Sequence, residues 1–115
     1  MKLIKAPDDF LEKKVNDFDF NQMDDENISS EMFDIMKKYE GVGLAANQVG
    51  IDAQIFIMGE DKPMTIINPL VTEVSTNQVE MMEGCLSFPG LFMKVKRPDT
   101  VAVKYLDTQQ KECII

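Results

Sequence analysis

Apolar and polar positions change their rhythm once along the chain. Up to about Asn27 the sequence is acidic and turn-rich, with Pro7-Asp8-Asp9, Asn16-Asp17 and Asp24-Asp25-Glu26, a pattern expected to wrap a domain rather than build its core. From Ile28 the spacing turns helical. Ile28, Met32, Ile35, Met36 and Tyr39 fall at offsets of 0, 4, 7, 8 and 11, which stack on one face of a 3.6-residue helix. An acidic start and the Lys37-Lys38 pair suit the helix dipole, and Gly41 stands where a left-handed C-terminal cap is often found. The helix is predicted to stop near Tyr39 or Glu40. Beyond it come short β-rich runs, Ala53 to Met58, Met64 to Val74, Phe92 to Lys96 and Thr100 to Leu106, punctuated by Gly59, Pro63, Pro89-Gly90 and Pro98. Asp107-Thr108-Gln109-Gln110 reads as a turn, and Lys111 to Ile115 as the start of a return strand that stops on two apolar residues. The order predicts an α+β fold, one amphipathic helix followed by mostly antiparallel strands, without internal repeats.

At 115 residues, 44% hydrophobic and 28% charged, the chain is the size of one globular domain. Twenty acidic residues against twelve basic ones give a net charge of −8, and there is no histidine. That absence removes the Ser-His-Asp triad, the Cys-His pair, the two-histidine metal helix and the Cys₂His₂ finger from what the chain can build by itself. A pI near 4.4 with no basic cluster disfavours nucleic acid as a partner. No apolar run approaches the ~20 residues that span a bilayer, and the N-terminus lacks a signal-peptide core, so no membrane partner and a cytoplasmic location are expected. Two cysteines, Cys85 and Cys113, are too few for a disulfide scaffold and read as thiols.

Two segments carry candidate chemistry. In Gly41-Val42-Gly43-Leu44-Ala45-Ala46-Asn47-Gln48, small residues permit close backbone approach and the closing amide can donate or accept hydrogen bonds. On pattern alone its simpler reading is a helix cap followed by a tight turn into a strand. In Glu83-Gly84-Cys85-Leu86-Ser87-Phe88-Pro89-Gly90 the cysteine can be a metal ligand, a nucleophile or a buried apolar thiol, and base rates favour the buried thiol. A nucleophilic thiol needs a nearby base or cation, and no imidazole is available. Glu83 is most simply a structural carboxylate paired with Arg97, the only arginine.

Together the two segments closely resemble the first two signature motifs of the peptide deformylases, which remove the N-formyl group from the initiator methionine of nascent polypeptides. The first, Gly-x-Gly-hydrophobic-Ala-Ala-x-Gln, is matched from Gly41 to Gln48, and the second, Glu-Gly-Cys-Leu-Ser, from Glu83 to Ser87. Ala6-Pro7-Asp8 with Leu11, Ile67-Asn68-Pro69 and Arg97, twelve residues after the cysteine, extend the resemblance over nearly the whole chain. It implies a divalent metal, Fe²⁺ or a substitute such as Zn²⁺, Ni²⁺ or Co²⁺, with Cys85 as thiolate ligand. It also implies that Gln48 and the backbone N–H of Leu86 stabilise the charge developing on the formyl oxygen. The substrate, an N-formyl-methionyl peptide met as a nascent chain of the ribosome, would add as a strand along Val42 and Gly43, where the space at Gly43 must be empty. Val42, Met81 and Glu83 would border the methionine pocket, with Arg97 supporting Glu83.

The third motif of that family, His-Glu-x-x-His, has no counterpart here, and with it two metal ligands and the general base are missing. Residues 1–115 are therefore expected to form a single incomplete domain, a deformylase-like fold lacking its central C-terminal metal-binding helix, inactive and unstable alone. The strands and the helix near Met32 to Tyr39 are expected to expose a large apolar patch. Three readings follow: a split or shortened peptide deformylase, a non-catalytic remnant that binds extended formyl-methionyl peptides, and a small redox or amidase protein using Cys85 as a reactive thiol.

Overall fold

The expected amphipathic helix is present as α2, Asp25–Lys38, after a single turn α1 at Asp9–Glu12. The computed structural model describes residues 1–59 and 62–115. Asp8 and Asp24 cap the two helices, their carboxylates accepting from Phe10 N (2.9 Å) and Asn27 N (3.1 Å), so donors that the helix cannot pair internally are satisfied. Met32 and Met36 on the apolar face of α2 are buried against the sheet. The helix therefore does not expose the patch expected of Met32 to Tyr39. Its packing on strands within the chain already covers it, and of these residues only the terminal Tyr39 is exposed among the large apolar side chains.

The C-terminus of α2 differs from expectation by one residue. The left-handed position is Glu40, at φ 56°, and not Gly41. Glu40 N donates to Lys37 O at 3.1 Å and Gly41 N to Met36 O at 2.9 Å, the paired bonds of a Schellman ending. Gly41 instead lies against the side chain of Leu86.

Among the described residues seven strands follow: β1 Gly43–Ala45, β2 Ile55–Met58, β3 Met64–Val74, β4 Gln78–Cys85, β5 Phe88–Pro98, β6 Val101–Leu106 and β7 Glu112–Ile114. They form a five-stranded sheet in the order β1-β2-β3-β6-β7 and a two-stranded hairpin β4-β5, with every pairing antiparallel. This is the α+β architecture with one long helix that the pattern predicts. A 3₁₀ turn, Ala46–Val49, follows β1 and ends on Gly50 at φ 81°. Leu44, Val49, Ile55, Ile57 and Ile67 close on Met32 and Met36 to make the core, with alternate residues of β2 pointing inward.

The N-terminal stretch does more than wrap this core. Phe18 is buried within it, and Asn68 holds Phe18 as a strand neighbour would: Phe18 N donates to Asn68 Oδ1 (2.7 Å) and Asn68 Nδ2 to Phe18 O (3.1 Å). Asn68 takes φ 49°, which Asn tolerates better than most residues, at an irregularity in the β3–β6 pairing. Asp52 ties down the same stretch by accepting from Lys13 Nζ (2.8 Å) and Asn16 N (2.9 Å), and these bonds, Lys13 first, hold its carboxyl below the usual range. Apolar exposure is concentrated elsewhere: Val71, Val74 and Val101 on the sheet, and Met81, Met82, Phe92 and Met93 on the hairpin.

Candidate active site

The loop after α2 and the β4–β5 turn converge where Leu86 packs its side chain against Gly41. A Cβ on Gly41 would lie 2.6 Å from Leu86 Cδ1, far inside van der Waals contact. A cleft of about 650 Å³ opens beside this contact. Its lining includes Val42, Gly43, Gln48, Cys85 and Leu86, five residues that the sequence singled out, from two segments brought together by the fold. Met81, Glu83 and Arg97 stand farther along the hairpin and do not line it.

Gln48 is held in the 3₁₀ turn with its amide spanning the two segments. Its Oε1 accepts from Ala45 N (3.0 Å), while Nε2 donates to Ser87 Oγ (3.1 Å) and stands 3.4 Å from Cys85 Sγ. Cys85 is an exposed free thiol at the end of β4, and Leu86 occupies the short turn into β5. Both residues are thereby presented to the cleft rather than buried in the hairpin, against the buried thiol that base rates favoured. Glu83 and Arg97 form the expected pair in two-pronged geometry, Nε to Oε2 at 2.6 Å and Nη2 to Oε1 at 2.7 Å. The guanidinium hydrogen bond holds the Glu83 carboxyl below its ordinary range and raises Arg97.

The free side of β1 borders the cleft. β1 is a terminal strand of the sheet and pairs on its other side with β2, Gly43 opposite Met58. A Cβ on Gly43 would meet nothing within the chain nearer than Ile57 O at 3.6 Å, an ordinary contact. Glycine at this position is therefore not demanded by the chain's own packing.

The donor set does not suffice for a metal. There is no histidine, and among the described residues no group of three His, Cys, Asp or Glu side chains could hold an ion. Cys85 is one ligating atom, and its polar neighbour Gln48 offers it an N–H rather than a lone pair. Sequence reasoning also passed over Ser87, which is almost fully buried behind Gln48, although it is the last fixed position of the second motif. The aromatic Phe92, lying over Gly84 within 2.8 Å of where a Cβ would stand, is a further cleft residue that the pattern did not flag.

The cysteine, the glutamine and the glycine-rich edge thus meet at one cleft, and comparison with known proteins gives the family of the chain. A family profile described as polypeptide deformylase matches residues 1–115, and the chain belongs to that family. It is 34% identical to the peptide deformylase of Borreliella burgdorferi, an alignment covering 100% of this chain and 72% of that one. It is 38% identical to the chloroplastic peptide deformylase 1B of Oryza sativa subsp. japonica over 93% of this chain and 42% of the relative. The chain thus spans about two fifths of the length of that plant relative. The solved structure of the Ehrlichia chaffeensis peptide deformylase in complex with actinonin superposes with a TM-score of 0.93 at 34% identity, covering 100% of this chain and 73% of the other. Among the described residues no helix is long and apolar enough to cross a membrane.

Proposed function

We propose that residues 1–115 are the substrate-recognition and thiolate-bearing part of a peptide deformylase, which hydrolyses the N-formyl group from the initiator methionine of nascent polypeptides. In this reading the formyl-methionyl peptide adds as an extended strand at the free edge of β1, its main chain running along Gly43 and the preceding Val42, whose carbonyl accepts from Gly59 N on the other side. Gln48 presents an amide donor to the formyl oxygen, and the Leu86 N–H is the second donor, so that charge developing there meets fixed dipoles. Cys85 is the single ligand these residues give to the divalent metal of the family, Fe²⁺ or Zn²⁺, Ni²⁺ or Co²⁺ in its place. The remaining ligands and the general base come from a segment bearing His-Glu-x-x-His, joined to the chain or supplied in trans. Val42 forms one wall for the methionine side chain. Met81 and Glu83 are assigned to the same wall by resemblance, and Arg97 fixes Glu83. The reading places the protein in the cytoplasm, where formylated nascent chains leave the ribosome.

One observation carries the proposal: Gln48 Nε2 and Cys85 Sγ stand 3.4 Å apart beside an unpaired strand edge. The test is to assay formate release from formyl-Met-Ala-Ser by the chain alone and after addition of a segment carrying His-Glu-x-x-His with Fe²⁺ or Ni²⁺. Activity only in the second mixture is expected. Peptide binding with no turnover in either mixture would replace this reading with that of a non-catalytic peptide binder. Turnover by the histidine-free chain alone would overturn it.

A further inference from the structure

The hydroxyl of Ser87 has one proton to give and lone pairs to offer, and the fold commits each of them. Ser87 Oγ lies 2.6 Å from the carbonyl oxygen of Ile4, which can only accept, so the Ser87 proton points to Ile4. A lone pair then faces Gln48 at 3.1 Å, and only a donor can sit there. On the far side of the same amide, Ala45 N–H lies 3.0 Å from Gln48 Oε1 and requires an acceptor. The two contacts agree. Reversing the amide would place nitrogen against N–H and oxygen against a spent hydroxyl, losing two hydrogen bonds at a site where Ser87 is only 2% exposed.

The N-terminal segment completes the arrangement through its backbone. Ile4 N donates to Gln48 O at 2.6 Å, and Ala6 N donates to Ser87 O at 2.8 Å. Residues 4–6 therefore strap the first motif to the second, and the strap also supplies the carbonyl that sets the hydroxyl. We propose that Ser87 is a positioning residue whose hydroxyl, oriented by the Ile4 carbonyl, fixes the Gln48 amide with its nitrogen toward Cys85 and the cleft. Service of that nitrogen to a formyl oxygen rests on the deformylase reading; its orientation does not.

The test is NMR of the ¹⁵N-labelled full chain, following the side-chain NH₂ pair of Gln48. In the wild type this pair is expected to show contacts to the Ser87 β-protons and slowed exchange with water. In Ser87→Ala the contacts vanish, the pair moves to the position of an exposed glutamine, and exchange rises by about 10-fold, the equivalent of one hydrogen bond. Ser87→Cys, close in shape with a weak donor and acceptor, restores part of the shift. An unmoved pair in a folded Ser87→Ala variant overturns the proposal. So does a wild-type spectrum without Gln48–Ser87 contacts, a result that needs no variant to fold. Titration with formyl-Met-Ala on the same resonance, after addition of the His-Glu-x-x-His segment and Ni²⁺, separates the two ideas: a fixed amide that ignores the peptide supports the positioning role and sinks the deformylase reading.

Discussion

Cys85 and Gln48 are 37 positions apart and share a contact of 3.4 Å, yet their proposed tasks are separable. In a protein completed with a His-Glu-x-x-His segment, Cys85→Ala is expected to abolish metal retention, measured by elemental analysis after gel filtration. Gln48→Ala is expected to keep the metal and lower kcat/KM by roughly 10²-fold, the usual effect of removing one oxyanion donor. Wild-type rates in both variants would remove the site assignment. These residues were legible in the sequence because their identities are fixed within two short motifs. The role of Ser87 was not, although it lies in the same motif, because its decisive partner is a main-chain carbonyl 83 positions away. A backbone group carries no trace in residue type. Gly41 was legible as a glycine but not in its setting: the Leu86 side chain packs directly against it, while the turn conformation falls on Glu40.

At the scale of elements, the ending of α2 holds a charged residue in a left-handed conformation, which costs a non-glycine residue about 1 kcal/mol. Glu40→Gly is therefore expected to stabilise the chain by up to about 1 kcal/mol, read as a higher urea midpoint with an unchanged slope. The opposite sign is expected where β3 meets the N-terminal stretch. Asn68→Ala removes both bonds to Phe18 and leaves main-chain groups unpaired beside the core, a loss of about 1–3 kcal/mol. Equal stability of that variant would show that the stretch is held by Phe18 packing alone. The same elements mark what the sequence could reveal. α2 and β3 were readable because their apolar spacing runs long enough to establish a period, and β3 begins and ends where the pattern placed it. β1 was hidden because Gly43-Leu44-Ala45 has neither length nor alternation, and β4 because its mixed Met, Glu and Gly residues sit in an exposed hairpin with little inward face.

Across the whole molecule, charge and apolar exposure make demands that no single residue reveals. Asp52, Glu83 and Asp107 all have carboxyls held below their ordinary range, through Lys13, Arg97 and the Lys111 backbone N–H respectively. As pH falls the unfolded chain takes up these protons first, so their contribution is present above the ordinary values of 3.8 and 4.5 and is lost as pH drops through the lower folded ones. Relief of the −8 charge acts in the other direction down to the pI near 4.4. The urea midpoint is therefore expected to hold or rise from pH 7 to about pH 5 and to fall below it, with Glu83→Gln flattening the fall. Apolar exposure sets the second demand. Val71, Val74 and Val101 on the sheet are at least half exposed, as are Met81 and Met93 on one face of the hairpin and Met82 and Phe92 on the other, so large apolar side chains meet water at several places. The chain by itself is expected to bind an environment-sensitive naphthalene sulfonate dye and to associate as its concentration rises. If a His-Glu-x-x-His segment is the missing partner, its addition should lower dye fluorescence and return the chain to a one-to-one complex at the same stoichiometry that restores formate release. Loss of dye binding without formate release would separate burial of the apolar surface from assembly of the chemistry.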